Sequence, residues 1–106
     1  MLDVPTAPAL VVPLGTAVNG PHLRTVHRQV IDVLRRHRPA RMDLDFSRSV
    51  AIDAAGMRGL RLCRADAAQL DCRLVLVRTS LLIRSLLEAA GLGAQIDVAT
   101  ATPAAS

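Results

Sequence analysis

The run D-L-D-F-S-R-S-V-A-I-D-A-A-G-M-R-G-L, from Asp43 to Leu60, decides how the chain is read. Met42, Leu44 and Phe46 alternate with Asp43 and Asp45, which is the period of a strand with one apolar face. Ser47 to Ile52 reads as a short exposed loop. Asp53 then has the chemistry of a helix N-cap. Its carboxylate can accept the unpaired N–H groups two and three residues on, and its charge complements the positive end of the helix dipole. Small residues at 54 to 56 leave that helix end uncovered. The helix runs to about Leu70, with Leu60, Cys63, Ala67 and Leu70 on one stripe and Arg58, Arg61, Arg64 and Asp66 mostly elsewhere.

Outward from this core, strand and helix patterns alternate. Residues 9 to 14, A-L-V-V-P-L, form a short β-branched run, and Pro13 predicts an edge strand or its end. The segment G-T-A-V-N-G-P reads as turn chemistry. From His22 to about Arg38, Leu23, Val26, Val30, Val33 and Leu34 recur at helical spacing; Pro21 suits the first turn and Pro39 stops the helix. Past Leu70, L-D-C-R turns into the strand L-V-L-V, whose continuous apolar character suits a central strand covered on both faces. Thr79 and Ser80 can each cap a third helix carried by Leu82, Ile83, Leu86, Leu87 and Ala90, with Gly91 as its C-terminal cap. A last strand, Q-I-D-V-A, precedes a small, polar tail.

The order βαβαβαβ requires crossover connections and therefore predicts an α/β fold: a single domain with a largely parallel four-stranded sheet flanked by helices. We place an N-terminal extension at 1–8, the domain at 9–98 and a disordered tail at 99–106, with no internal repeat or linker. A chain of 106 residues should bury roughly 65% of its unfolded surface, enough for one core.

Composition narrows the function. Apolar residues make up 51%, yet Phe46 is the one aromatic, so no platform exists for stacking bases or sugars. All thirteen basic residues are Arg, against eight Asp and one Glu, for a formal charge of +4. Uniform Arg usage in an Ala-rich chain is explained first by genome composition, but the charge still favours acidic partners. Arg35, Arg36, His37, Arg38 and Arg41 cluster at the end of the first helix, where cations complement the helix C-terminus. Cys63 and Cys72 match no metal-ligand spacing, and Cys63 falls on an apolar helix face, so both are expected as reduced thiols and no zinc site is expected. Asp3, Pro5 and Pro8 stand where a signal peptide would carry a basic segment, and no apolar run approaches the roughly 20 residues that span a bilayer. A cytoplasmic protein without membrane insertion is the expectation.

Four segments together give a resemblance. D-x-x-G-M at residues 53–57, D-L-D-F before it, L-V-L-V after it and L-L-E-A-A-G-L at 86–92 occur in the order and spacing of the STAS family, named for sulfate transporters and anti-sigma factor antagonists. The resemblance covers about residues 9 to 98, including Gly15 after the first strand. Family members carry D-[ST]-[ST]-G-L at the strand-to-helix junction, and in the regulatory members the first hydroxyl residue after the Asp is phosphorylated by a partner kinase. Two departures stand out. The opening strand before residue 9 is short or absent, and Ala54 and Ala55 occupy both hydroxyl positions.

The alternatives in catalysis are weaker. Asp43, Asp45 and Asp53 are the carboxylates near enough in sequence for acid/base work or a hard cation, but capping explains Asp53 and strand alternation explains the other two. His22, His27 and His37 lack the spacing of helical metal ligands. No serine lies in a nucleophile elbow, and Gly91-Leu92-Gly93 follows a helix, whereas a dinucleotide loop precedes one. No enzyme activity, catalytic residue, metal or cofactor is expected. A nucleic-acid role would require strong salt dependence, and a modest +4 without aromatic platforms argues against a direct one.

Recognition remains. Ser47, Arg48 and Ser49 in the loop, with Asp53, Ala54, Ala55, Gly56, Met57, Arg58 and Gly59, would form a flat patch with small residues at its middle and arginines at its edges. Small residues let a partner backbone approach closely, and Arg can grip carboxylates in bidentate fashion. The competing reading is that Ala54, Ala55 and Gly56 only allow tight packing on the sheet. The resemblance implies a non-catalytic module that binds an anti-sigma factor with a kinase-type ATP-binding fold and frees a sigma factor, without phosphorylation at Ala54. The alternative within the family is a structural subunit of a lipid-transport or sensory complex. Self-association is compatible with either.

Overall fold

The structure, a computed structural model, describes residues 10–92 and the backbone of a strand at 97–98. Nine elements follow one another: β1 (Leu10–Pro13), β2 (Ala17–Val18), α1 (Gly20–His37), β3 (Arg41–Asp45), β4 (Ala51–Ile52), α2 (Ala54–Gln69), β5 (Arg73–Val77), α3 (Leu81–Ala89) and β6 (Asp97–Val98). The expected extension at 1–8 and tail at 99–106 lie outside the described residues.

The main sheet has strand order β1-β3-β5-β6, and each neighbouring pair is parallel. Crossovers between parallel strands are right-handed in about 98% of cases, and this order never reverses, so successive helices fall on the same face. Core membership agrees. Val12, Met42, Leu44, Leu74 and Leu76 share one buried cluster with Leu23, Val26, Val30 and Leu34 of α1, with Leu60, Cys63 and Ala67 of α2, and with Ile83 and Leu87 of α3. The register Leu10↔Met42↔Leu74 and Val12↔Leu44↔Leu76 puts those strand side chains on that face. The rows Val11↔Asp43↔Val75 and Pro13↔Asp45↔Val77 point the other way. An unreversed order also lacks the switch point at which doubly wound sheets open a nucleotide crevice.

Local chemistry sets the element ends. Pro13 ends the edge strand β1, as its missing N–H dictates. Helix α1 starts earlier than the periodicity suggests, because Asn19 caps it, its Oδ1 accepting the His22 N–H at 2.9 Å. It ends where Arg38 turns left-handed at φ 46°, one residue before Pro39. Asp53 caps α2 as its chemistry requires. Of the two candidates for α3, Ser80 is the cap and its Oγ accepts the Ile83 N–H at 3.2 Å; Thr79 is buried with its hydroxyl unpartnered. Gly91, at φ 77°, follows that helix.

Three expectations need correction. The stretch from Ser47 to Ile52 is not simply an exposed loop, since Ser49 is buried and Ala51–Ile52 forms β4. G-T-A-V-N-G-P is more than a turn, since Ala17–Val18 is a strand paired in parallel with β4, Ala17 to Ala51 and Val18 to Ile52. A two-residue strand is too short to show a period and is defined by a partner far along the chain. Leu82 does not belong to the buried stripe of α3. It is 60% exposed and Leu81 79% exposed, while Ile83 and Leu87 carry the packing.

Candidate docking site at the first turn of helix α2

The C-terminal ends of β1, β3 and β5 lie along one edge of the parallel sheet, and the loops leading into α1, α2 and α3 emerge there. The β2–β4 bridge straps the central loop down. Thr16 O accepts the N–H groups of Val50 at 2.9 Å and Ala51 at 3.2 Å, and Val18 O accepts the Asp53 N–H at 3.2 Å. Asp53 Oδ1 then accepts the Gly56 N–H at 2.7 Å, which satisfies a first-turn donor and fixes the direction of α2. The result is a rigid helix end standing on a two-strand pedestal.

The residues singled out from sequence separate into three groups here. Ser47, Arg48, Asp53, Ala54 and Arg58 are exposed, and Ala55, Met57 and Gly59 are half-buried. Ser49 and Gly56 are buried. Ser49 Oγ donates to Gly15 O at 2.8 Å, and a β-carbon on Gly56 would stand 2.1 Å from the Val18 carbonyl oxygen. These two residues shape the patch from beneath. A β-carbon on Gly59 would come within 2.6 Å of Leu23 Cβ, so this glycine sets the close approach of α1 and α2. Tight packing thus accounts for Gly56 and Gly59, but it leaves Ala54 in solvent.

Neighbouring polar groups hold the frame. Gly15 N–H donates to His22 Nε2 at 2.9 Å, linking the loop after β1 to the start of α1. Asp45 accepts the Ser47 N–H at 2.8 Å and an Arg78 N–H at 3.1 Å. Partial burial tends to raise its pKa, but the Ser47 hydrogen bonds and the Arg78 charge outweigh this and hold the carboxyl below its ordinary value. Asp43 is paired with Arg41 at 2.7 Å. Both strand carboxylates are therefore structural ion-pair partners. The His27 ring nitrogen Nε2 bonds Asp66, joining α1 to α2. Burial, with the Asp66 charge adding to it, pushes the Cys63 thiol up to about 12. Among the described residues no three His, Cys, Asp or Glu side chains gather as a metal site would require, and no helix is long and apolar enough to cross a membrane.

Sequence reasoning missed two features of this surface. The exposed apolar character of Val50, 68% exposed within the loop, was not singled out. A groove of about 230 Å³ opens between α1 and α2 next to Ala55 and Arg58. The paired glycines 20 and 59 were the available signal, but only the crossing of the helices gives them meaning.

The architecture is a parallel sheet wound in one direction, with a capped helix end raised on a short second sheet. The family model described as "Mlab, STAS domain" matches residues 5–99, and the chain belongs to the STAS family. Among solved structures it is similar to the unphosphorylated anti-sigma factor antagonist SpoIIAA, with TM-score 0.67 and 14% identity over 96% of this chain and 88% of that one. SpoIIAA of Bacillus in its phosphorylated form gives TM-score 0.64 and 17% identity, covering 94% and 90%. A sulfate transporter family protein from Wolinella succinogenes gives 0.71 and 19%, covering 91% and 86%. At these identities the likeness concerns the fold. No curated protein matches the chain in sequence.

Proposed function

We propose that the protein is a non-catalytic docking module of the anti-sigma factor antagonist type. It presents the first turn of α2 and the flanking loop to an anti-sigma factor with a kinase-type ATP-binding fold, releases the sigma factor that this partner holds, and acts in the cytoplasm. The observation that carries the reading is the exposure of Ala54 beside Asp53, on a helix end that the rest of the fold holds rigid but leaves uncovered. A phosphate would add about −1.5 to −2 charges at such a contact. Ala54 stands where the regulated members carry the acceptor hydroxyl and cannot take one, so the surface is permanently competent to bind.

Incubation with the cognate kinase and ATP, followed by intact mass and peptide mapping, tests this. Binding without mass gain is expected. Of the hydroxyls in 47–58, Ser49 is buried and bonded to Gly15, which leaves Ser47 exposed. A phosphate on either would refute the proposal.

A second reading, a fixed subunit of a lipid-transport or sensory complex, is favoured by one observation: neither Ala54 nor Ala55 offers a switch, which suits a permanent contact. Recovery of transporter or scaffold subunits at equal stoichiometry, with no anti-sigma kinase, would select it.

A further inference from the structure

The groove between α1 and α2 has a floor without bulk. Gly59 lies against Leu23, and a β-carbon on Gly20 would stand 3.2 Å from Ala55 Cβ, so the two helices approach closely and leave a recess beside their contact. Leu62 lines it and is 58% exposed. At about 230 Å³ the recess has room for a leucine- or methionine-sized side chain.

The rim is cationic. Arg24 and Arg58 line the groove from opposite helices, both exposed, and neither side chain makes a hydrogen bond or ion pair among the described residues. None of the lining residues is acidic, and the His27 ring is held by Asp66. Two unpaired guanidinium forks above an apolar recess are complementary to an apolar side chain flanked by carboxylates.

We propose that this groove is the anchor for an acidic protein segment, which lays one apolar side chain in the recess against Leu62 while flanking carboxylates pair with Arg24 and Arg58. The inference rests on the docking reading above, since Ala55, Arg58 and Gly59 belong to both surfaces, and it adds the chemistry of the partner. Electrostatic steering by the rim would speed encounter, and the recess would fix register.

The test is a titration of the ¹⁵N-labelled full chain with three synthetic peptides of equal length, whose centres are Glu-Glu-Leu-Glu-Glu, Gln-Gln-Leu-Gln-Gln and Glu-Glu-Ala-Glu-Glu. The first should shift the amides of Gly20, Arg24, Ala55, Gly59 and Leu62, and bind about tenfold more tightly than either control. Raising NaCl from about 50 to about 300 mM should weaken it several-fold. The double variant Arg24→Glu, Arg58→Glu should lose about tenfold in affinity with the rest of its spectrum unchanged. Equal affinity for all three peptides, shifts elsewhere, or the same shifts from a DNA duplex would overturn the proposal. The two readings separate in binding to the anti-sigma kinase. Loss by Ala54→Asp but not by Arg24→Glu overturns the groove and leaves the docking surface standing. Peptide in the groove without kinase binding keeps the groove and removes that partner.

Discussion

Gly56 and Val18 approach so closely that a β-carbon on the glycine would stand 2.1 Å from the Val18 carbonyl oxygen. The same carbonyl accepts the Asp53 N–H, so one backbone oxygen ties β2 to the helix cap and sits against the first turn of α2. Replacement by alanine forces the backbone to move, because a carbonyl cannot rotate away as a side chain can. Gly56→Ala should lose about 2–3 kcal/mol of stability in urea unfolding. A variant as stable as wild type would show that the contact is not required.

Ala54 should behave as a surface residue in stability and as a central one in binding. Ala54→Asp is expected to leave the melting temperature within a few degrees, since acidic residues suit a helix first turn. It should weaken partner affinity by about tenfold or more through like-charge and desolvation effects. Ala54→Ser should acquire phosphate from the kinase. Unchanged affinity in the Asp variant removes the patch from consideration.

Thr79 is buried with an unpartnered hydroxyl, beside the Ser80 that caps α3. Thr79→Val keeps the shape and removes the unmatched polar group. Unfolding experiments should show a gain of about 1 kcal/mol. A loss of that size would mean that the hydroxyl finds a partner in solution.

Acid stability should depend in part on Asp45. Its folded pKa lies below the 3.8 of the free side chain, so its contribution is fully present above that value. It is lost as the pH falls through the lowered folded value, when protonation breaks the Ser47 and Arg78 contacts. Asp45→Asn should differ from wild type near neutrality and converge with it toward pH 2 or so. A constant difference across that range would contradict the assignment.

Cys63 is a protected thiol. With burial pushing its pKa up to about 12, it should resist maleimide at about pH 8 in the folded protein and react promptly in denaturant. Cys72, buried and shifted the same way, should follow it. Fast labelling of native protein would reveal local opening of α2.

Much of the fold is written in short-range chemistry. Alternation around Leu44 gives β3, the 3.6-residue stripe from Leu60 gives α2, and Asp53 and Ser80 cap as their side chains require. Asn19 was concealed by its neighbours in a turn-like string, and β2 and β4 by their brevity. The stripe on α3 included Leu82 because periodicity gives the direction of a face and not the width of what covers it. The proposed patch was drawn from a cluster of small residues, and within it Ser49 and Gly56 are buried.

The alternation of long strands and helices, the parallel sheet it requires and the caps at Asp53 and Ser80 were determined by the chain's own local pattern, because hydrophobic period, proline position and capping chemistry act within a few residues. Which small residues are structural and which remain in solvent was decided by the tertiary structure alone. Gly56 meets Val18, Gly59 meets Leu23 and Ala54 is exposed. Those contacts join segments far apart in the chain, and no reading of neighbours could separate three small residues that look alike until the helices cross.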